Sequence, residues 1–432
     1  MTDTIFALSS GAPPAALAVI RISGPAAFDA VAAIAGGLPD ARRASLRRLR
    51  DPASGETIDR ALVLIFPGPA TATGEDLAEL HLHGGRAVVR RMEAVLGAMQ
   101  GLRGAEPGEF TRRALEAGRI DLTEAEGLAD LLAAETEGQR RTAMRAAEGH
   151  LRQTIGLWND RLLMLSAAIE AAIDHSDEAD AADDDAILAE VRAGASGLAN
   201  VIADVLAQPP VERLRDGIRV VLAGPPNSGK STLFNAMVGR DAAIVSPIAG
   251  TTRDRIEAPV VRNGIAWTIT DTAGLAEATD DPIEAIGIAR ARDSIGAADI
   301  LLWLGDDTPP TPDGVDVIAV HPRADLAERA SVPAGRLAVS THDTDSVATL
   351  WSRMEHIAAT LLPSGDVPAL NVRQRDLCGS ARAGLCSAAQ LADPLIIAEE
   401  LRAAGQAFDA ITGQSHVENV LDALFGRFCI GK

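Results

Sequence analysis

The residues with the clearest chemical potential are Gly224-Pro225-Pro226-Asn227-Ser228-Gly229-Lys230-Ser231, a complete G-x-x-x-x-G-K-S. Glycines at those positions let backbone amides turn inward around a β-phosphate, and the helix start that follows adds positive potential there. Lys230 reaches β- and γ-oxygens as a mobile point charge, and the Ser231 hydroxyl can ligate Mg²⁺. Such a loop needs a strand before it and a helix after it. The apolar, β-branched run IRVVLAG at 218–224 and the helical stretch STLFNAMVG at 231–239 meet both demands.

Two further runs make this phosphate loop part of a nucleotide switch. In Gly250-Thr251-Thr252-Arg253-Asp254 a threonine can complete the Mg²⁺ shell and bond the γ-phosphate, ordering the loop only in the triphosphate state. The strand WTIT at 267–270 runs into Asp271-Thr272-Ala273-Gly274, where the Asp271 carboxylate can hold a magnesium-bound water and the Gly274 amide can sense the γ-phosphate. The base is read farther on. After the strand VDVIAV (315–320) comes His321-Pro322-Arg323-Ala324-Asp325, where guanine recognition usually has Asn-Lys-x-Asp. Asp325 can accept from guanine N1–H and the exocyclic amine, and the Arg323 stem can cover the base as lysine does. Pro322 has no amide to offer in place of Asn, so altered affinity is expected. Ser340-Thr341-His342 occupies the place of a second base-contacting loop.

Hydrolysis needs an oriented water and neutralisation of the charge developing between the β- and γ-phosphates. Leu275-Ala276-Glu277 supplies no Gln after the Asp271–Gly274 run, so the carboxylates of 279–284 are the candidates for holding the water. No arginine finger stands out. Asn227 suits a monovalent cation instead, as do carbonyls around Ser246 and Ile248.

The elements around these loops follow from patterning. Residues 1–117 read as mixed α/β, with strands at the N-terminus, at LAVIRIS (17–23) and at ALVLIF (61–66). The Arg-rich ARRASLRRLR at 41–50 reads as a solvated edge strand, with a nucleic-acid arm as the alternative. From Leu122 to Ile173 apolar residues recur at helical spacing, and Thr123 with Glu126 predicts a capping box. The acidic stretch Asp174 to Asp185 lacks the Gly and closing Glu of a calcium loop and reads as a solvated turn. An amphipathic helix over 186–206 follows. Residues 217–362 alternate strand and helix, and from about 370 the chain is helical again. A helical segment on each side of an α/β unit predicts insertion of that unit into a helical domain.

The chain has 432 residues, 60 acidic against 40 basic side chains, a formal charge of −20 and three cysteines. At roughly 100–200 residues per domain this implies several domains. The acidic balance argues against a surface coated for nucleic acid, and aromatic residues at 3% make base-stacking platforms an unsuitable reading. Widely spaced cysteines exclude a disulfide scaffold and fit a reducing cytoplasm. No apolar run is read as reaching the ~18–20 residues of a membrane span. Cys378 and Cys386 show no metal spacing, and His81 and His83 share one strand face without a third ligand nearby.

These motifs, with DTIFAL (3–8), VIRISG (19–24), AELHLHGG (78–85), AEPGEFTRRALEAGRIDLTEAEGLADLL (105–132) and the closing Phe428-Cys429-Ile430-Gly431-Lys432, resemble the tRNA modification GTPase family MnmE, also called TrmE. The resemblance covers essentially the whole chain. It implies a multidomain α/β protein: an N-terminal α/β domain (1–117) that binds tetrahydrofolate and dimerises, a discontinuous α-helical domain (118–214 and 364–432), and an inserted Ras-like P-loop G domain (215–363). It implies GTP hydrolysis stimulated by K⁺ and Mg²⁺, a homodimer, and a flavin-dependent MnmG partner. Together the pair would add an aminomethyl or carboxymethylaminomethyl group to C5 of the wobble uridine of certain tRNAs, from 5,10-methylene-tetrahydrofolate. A 5-formyl form is a further candidate ligand, and no membrane is involved. A regulatory GTPase of ribosome assembly is the alternative.

Carried over position by position, the resemblance gives nucleotide contacts at Asn227, Ser228, Gly229, Lys230, Ser231, Thr232, Ser246, Pro247, Ile248, Ala249, Gly250, Thr251, Thr252, Asp271, Thr272, Ala273, Gly274, Asp325 and Ser340. Potassium falls to Asn227, Ser246, Ile248 and Thr251, and magnesium to Ser231 and Thr252. The water-orienting carboxylate is Glu284, and Lys230 and Cys429 complete the catalytic set, with a structural role open for Cys429. Folate contacts fall on Arg21, Glu79, Arg119 and Lys432, which suit a pterin edge and a glutamate tail. For Arg21 and Glu79 a plain strand-face ion pair is the alternative. Pro322-Arg323 departs from the family pattern, as does Ala276 where an arginine is common.

Overall fold

The computed structural model describes residues 3–175, 181–241, 257–272, 293–363, 368–414, 421, 424–426, 428 and 430–431. The chain divides into two units. One comprises Met1–Ala129, Ala146–Ile155 and Asp409–Lys432, the other Asp130–Arg145 and Gly156–Phe408.

The first unit is built on a six-stranded sheet of β1 (Thr4–Leu8), β2 (Leu17–Ser23), β3 (Ser45–Arg50), β4 (Thr57–Phe66), β5 (Leu77–His83) and β6 (Leu102–Gly104), in the order β3-β4-β5-β2-β1-β6. Neighbours are antiparallel except β1 and β6. Alternation does the sorting. Ala18, Ile20 and Ile22 on β2 and Leu80 and Leu82 on β5 face the helices Ala27–Ala35 and Arg86–Gly97, which add Val31, Ile34, Met92 and Leu96 to one core. Each fully buried Ile or Leu of this kind contributes roughly 1.5–3 kcal/mol. The intervening residues, Arg21, Glu79 and His81 among them, stand on the opposite face, where Ile5 and Ala7 of β1 pack with Phe110. The Arg-rich run forms β3 at the sheet edge, with Arg48 and Arg50 exposed, as an edge strand needs to resist further pairing.

The helix Leu122–Ala133 is capped two residues earlier than the sequence pattern predicts. Asp121, not Thr123, accepts from the Glu124 amide at 2.9 Å, and Glu124 returns the bond to the Asp121 amide at 2.7 Å. Thr123 is buried inside the first turn and donates to Asp121 Oδ1.

The second unit carries a six-stranded sheet of β7 (Ile218–Ala223), β8 (Glu257–Arg262), β9 (Ile265–Asp271), β10 (Ile300–Trp303), β11 (Asp316–Pro322) and β12 (Leu337–Val339), in the order β12-β11-β10-β7-β9-β8. All neighbours are parallel except β8 and β9. β7 is central and buried at Ile218 and from Val220 to Ala223, which is why its sequence is apolar but for the exposed Arg219. Helices Lys230–Asp241 and Thr344–Leu361 cover one face, where Trp267 and Trp351 meet edge-on at 5.4 Å.

The remaining helices of this unit include Ala181–Leu206 and Val372–Ala388. Ala181–Leu206 begins five residues before the predicted 186–206, so Asp183, Asp184 and Asp185 lie in its opening turns and not in a turn. Carboxylates at a helix start are favoured by the peptide dipoles. Asp177, Glu178 and Asp180 lie outside the described residues. The segment Asp185–Leu206 is also long and apolar enough to cross a membrane by length and composition, contrary to the sequence reading. It buries Val191, Ala195, Leu198 and Ile202 and packs on the helix Val372–Ala388. Cys378 of that helix is fully buried, and burial pushes its thiol up to about 12.

Candidate functional site

At the end of β7 the chain turns at Gly224, whose φ of +150° excludes an ordinary side chain and whose Cβ would stand 3.1 Å from the Gly305 amide nitrogen. Asn227 (φ +59°) and Gly229 (φ +96°) continue the left-handed path, and the helix begins at Lys230. The Lys230 ammonium is buried and donates to the Gly224 and Pro225 carbonyls, both at 3.0 Å. It is held across the loop mouth by neutral acceptors, over which phosphate oxygens have a charge advantage. Ser231 and Thr232 are exposed in the first helical turn. The Ser228 hydroxyl is buried with no hydrogen-bond partner among the described residues, so the loop holds a polar group that a ligand can satisfy.

Beside this loop β9 delivers Asp271, buried and in register with Leu222 of β7. Thr272 donates from its hydroxyl to the Leu222 carbonyl at 2.7 Å, so its side chain ties the two strands together. On the other side of β7, Pro322 ends β11 and Ser340 follows β12. Ser340 is buried, and its hydroxyl beside Asp325 holds that carboxyl below the usual carboxylate range. Arg323, at φ +59°, donates through Nη2 to the Asn227 carbonyl at 3.0 Å, joining the Asp325 loop to the phosphate loop. A cleft of about 160 Å³ results, lined by Gly229, Thr232, Pro322, Arg323, Asp325 and Thr341 among others.

The loop carrying Pro322 is braced by residues that the sequence reading did not single out. Arg329 donates to the Pro322 carbonyl at 2.9 Å and to both oxygens of Asp306 at 2.8 and 3.1 Å, while buried His321 meets the Arg329 carbonyl at 2.9 Å. Arg329 lowers the Asp306 carboxyl as well. Ser246, Pro247, Ile248, Ala249, Gly250, Thr251, Thr252, Ala273, Gly274 and Glu284 lie outside the described residues.

The first unit holds a separate polar cluster on the open face of its sheet. Arg21 and Glu79 are cross-strand partners on β2 and β5, joined at 2.9 Å through Nη2 and 3.2 Å through Nε. His81 meets the other Glu79 oxygen at 3.2 Å, and Phe110 lies 5.8 Å from the Arg21 guanidinium. His83 turns to Asp59 instead, at 2.7 Å, so the two histidines have different partners. Arg119 is exposed and donates to the Thr71 carbonyl at 3.2 Å. Next to the cluster the chain end returns. Ile430 bridges Pro107, and Ser9 donates to the Gly431 carbonyl at 2.7 Å. At φ +103° Gly431 lies so close to the Leu8 carbonyl that a Cβ would stand 2.1 Å from its oxygen. Cys429 and Lys432 lie outside the described residues.

A buried guanidinium near the same sheet was also not read from the sequence. Arg113, 2% exposed, donates to Glu75 at 3.1 Å, Glu109 at 2.9 Å and Asp3 at 3.1 Å, and Glu75 accepts from Ser23 at 2.8 Å. Burial opposes the Glu109 charge, but Arg103, the Glu106 amide and Arg113 outweigh it and hold the carboxyl low. The only signal in the sequence is the i, i+4 spacing of Glu109 and Arg113, which many exposed pairs share.

Two family models match the chain: one described as the GTP-binding protein TrmE N-terminus, over residues 4–119, and one described as the MnmE helical domain, over residues 122–429. A tRNA modification GTPase MnmE of Erythrobacter litoralis is 54% identical over 432 residues, covering 100% of both chains. One of Rhizorhabdus wittichii is 54% identical over 437 residues, covering 100% of this chain and 97% of its own. Among solved structures, the G domain of the T. maritima FeoB iron transporter is 23% identical with a TM-score of 0.24, covering 33% of this chain and 98% of that one.

Proposed function

The chain belongs to the MnmE family of tRNA modification GTPases, and from that premise we propose that it binds and hydrolyses GTP to drive modification of C5 of the wobble uridine in certain tRNAs. The group added is aminomethyl or carboxymethylaminomethyl. The carrying observation is the cleft in which Gly229 and Thr232, on either side of Lys230 and Ser231, meet Asp325 and Thr341. In this reading residues 1–117 bind folate and dimerise, 118–214 and 364–432 form a helical domain, and 215–363 form the inserted GTPase domain.

The residues fit the expected ligands. Lys230 exchanges its two carbonyl acceptors for β- and γ-phosphate oxygens, and Asp325 accepts from the base. Ser231 and Thr252 would hold Mg²⁺, and Asn227, Ser246, Ile248 and Thr251 would hold K⁺. Glu284 orients the attacking water. The charge these groups set against the phosphates is what lowers the barrier. The exposed edge of the Arg21–Glu79–His81 cluster offers a carboxylate to pterin donors, and Arg119 and Lys432 serve the glutamate tail. Methylene-tetrahydrofolate, when bound, supplies the one-carbon unit. Cys429 is the proposed thiol of the reaction. The protein acts as a cytoplasmic homodimer with a flavin-dependent partner of the MnmG type.

Nucleoside analysis of tRNA from cells lacking the protein tests this reading. The C5 group of the wobble uridine is expected to disappear, and to return with the wild-type gene but not with Lys230→Ala. Fully modified uridine in the deletion strain overturns it.

A further inference from the structure

The nucleotide cleft differs from an ordinary guanine pocket at one wall, and that wall is fully described. Asp325 is an acceptor kept ionised by the buried Ser340 hydroxyl, so it takes the donor edge of a purine, N1–H and the exocyclic amine. Lys230 and its loop fix the phosphate end. Between the two ends stands Pro322, whose Cβ comes within 3.9 Å of a Cβ built on Gly229 in the phosphate loop. The imidazole ring is the part of a purine next to the sugar, so it is the part that passes Pro322. Its N7 is an acceptor. Proline offers neither a backbone N–H nor a polar side chain to it. Of the neighbouring guanidinium, Arg323 Nη2 donates to the Asn227 carbonyl at 3.0 Å, which ties the side chain to the phosphate loop. Arg329 and Asp306 hold the Pro322 carbonyl side rigidly, which keeps the wall from turning a different group inward.

We propose that Pro322 makes this pocket blind to position 7 of the purine, so that guanine is selected without N7, through its N1 and N2 edge at Asp325. The inference rests on the guanine reading above and deepens it. An aqueous N7 keeps its water at the cleft mouth, and replacing the ring nitrogen by C–H removes no protein hydrogen bond.

The test measures Kd for GTP, 7-deaza-GTP and ATP on the full chain, with Mg²⁺ and K⁺ present. The expected result is a GTP to 7-deaza-GTP ratio within about 2-fold, with ATP much weaker. A single net hydrogen bond is worth roughly 3- to 10-fold, so a loss of about 3-fold or more for 7-deaza-GTP, with ATP still weak, overturns the inference and leaves the guanine reading intact. ATP binding as tightly as GTP overturns the guanine reading, and this inference with it. Pro322→Asn supplies the missing amide and is expected to create a roughly 3- to 10-fold preference for GTP over 7-deaza-GTP. An unchanged ratio in a folded Pro322→Asn protein shows that residue 322 does not face N7 and also overturns the proposal.

Discussion

In the proposed function Lys230 is the side chain on which nucleotide binding turns, as the buried cation of the phosphate loop. Lys230→Ala is expected to weaken GTP binding by about 100-fold or more, since a charge-assisted contact to a multiply charged ligand is lost; a fluorescent GTP analogue in equilibrium titration reads this. Ser340→Ala tests the base side. The Ser340 hydroxyl lowers the Asp325 carboxyl, so in the wild type that group stays ionised as pH falls toward the ordinary carboxylate range near ~4. Without the hydroxyl it protonates at higher pH. GTP affinity of the variant should therefore decline earlier on acidification than that of the wild type, while the two converge toward neutral pH; parallel curves would contradict the role. At this scale the strand, loop and helix start that carry Lys230 and Ser231 were legible because phosphate chemistry demands fixed residue types at fixed spacing. Arg113 was not. Its partners Asp3, Glu75 and Glu109 come from three separate segments, and only folding brings them within 3.1 Å.

Elements were legible where one physical cause dominates. The β-type run LAVIRIS named β2, and the apolar, β-branched run at 218–224 named the strand before the phosphate loop. The cap of helix Leu122–Ala133 was misassigned because Asp121-x-x-Glu124 and Thr123-x-x-Glu126 overlap in the same six residues. Local pattern cannot choose between them, and burial of Leu122 and Thr123 does. Asp121→Ala should lower stability by about 1 kcal/mol, seen as a lower thermal midpoint, since both the Glu124 amide and the Thr123 hydroxyl lose their acceptor. The helix Ala181–Leu206 likewise started early because acidic residues, read as solvated turn formers, are equally good first-turn residues.

For the whole molecule, buried groups set how stability responds to its surroundings. The Cys378 thiol holds its proton to about 12 in the fold, whereas an unfolded chain releases it near the ordinary value of 9.0. The folded pKa is raised, so this contribution is fully present below pH ~9 and declines above it, by at most about 1.4 kcal/mol per pH unit. Cys378→Ala should flatten the alkaline limb of a denaturation-midpoint profile, and Cys378 should resist alkylation at neutral pH while partly exposed Cys386 reacts. The second molecular-scale prediction concerns the returning chain end. Gly431→Ala cannot be accommodated against the Leu8 carbonyl and should free residues 428–431, measured as faster amide exchange there with no change around β7. That seam joins Ser9 to Gly431, 422 positions apart along the polypeptide. During synthesis the rim of the N-terminal sheet must therefore wait, unstitched, while the entire phosphate-binding half emerges from the ribosome. Closing it is a late, high-contact-order event, and a nascent chain stalled before its final residues would leave that rim open to chaperones or to stray strands.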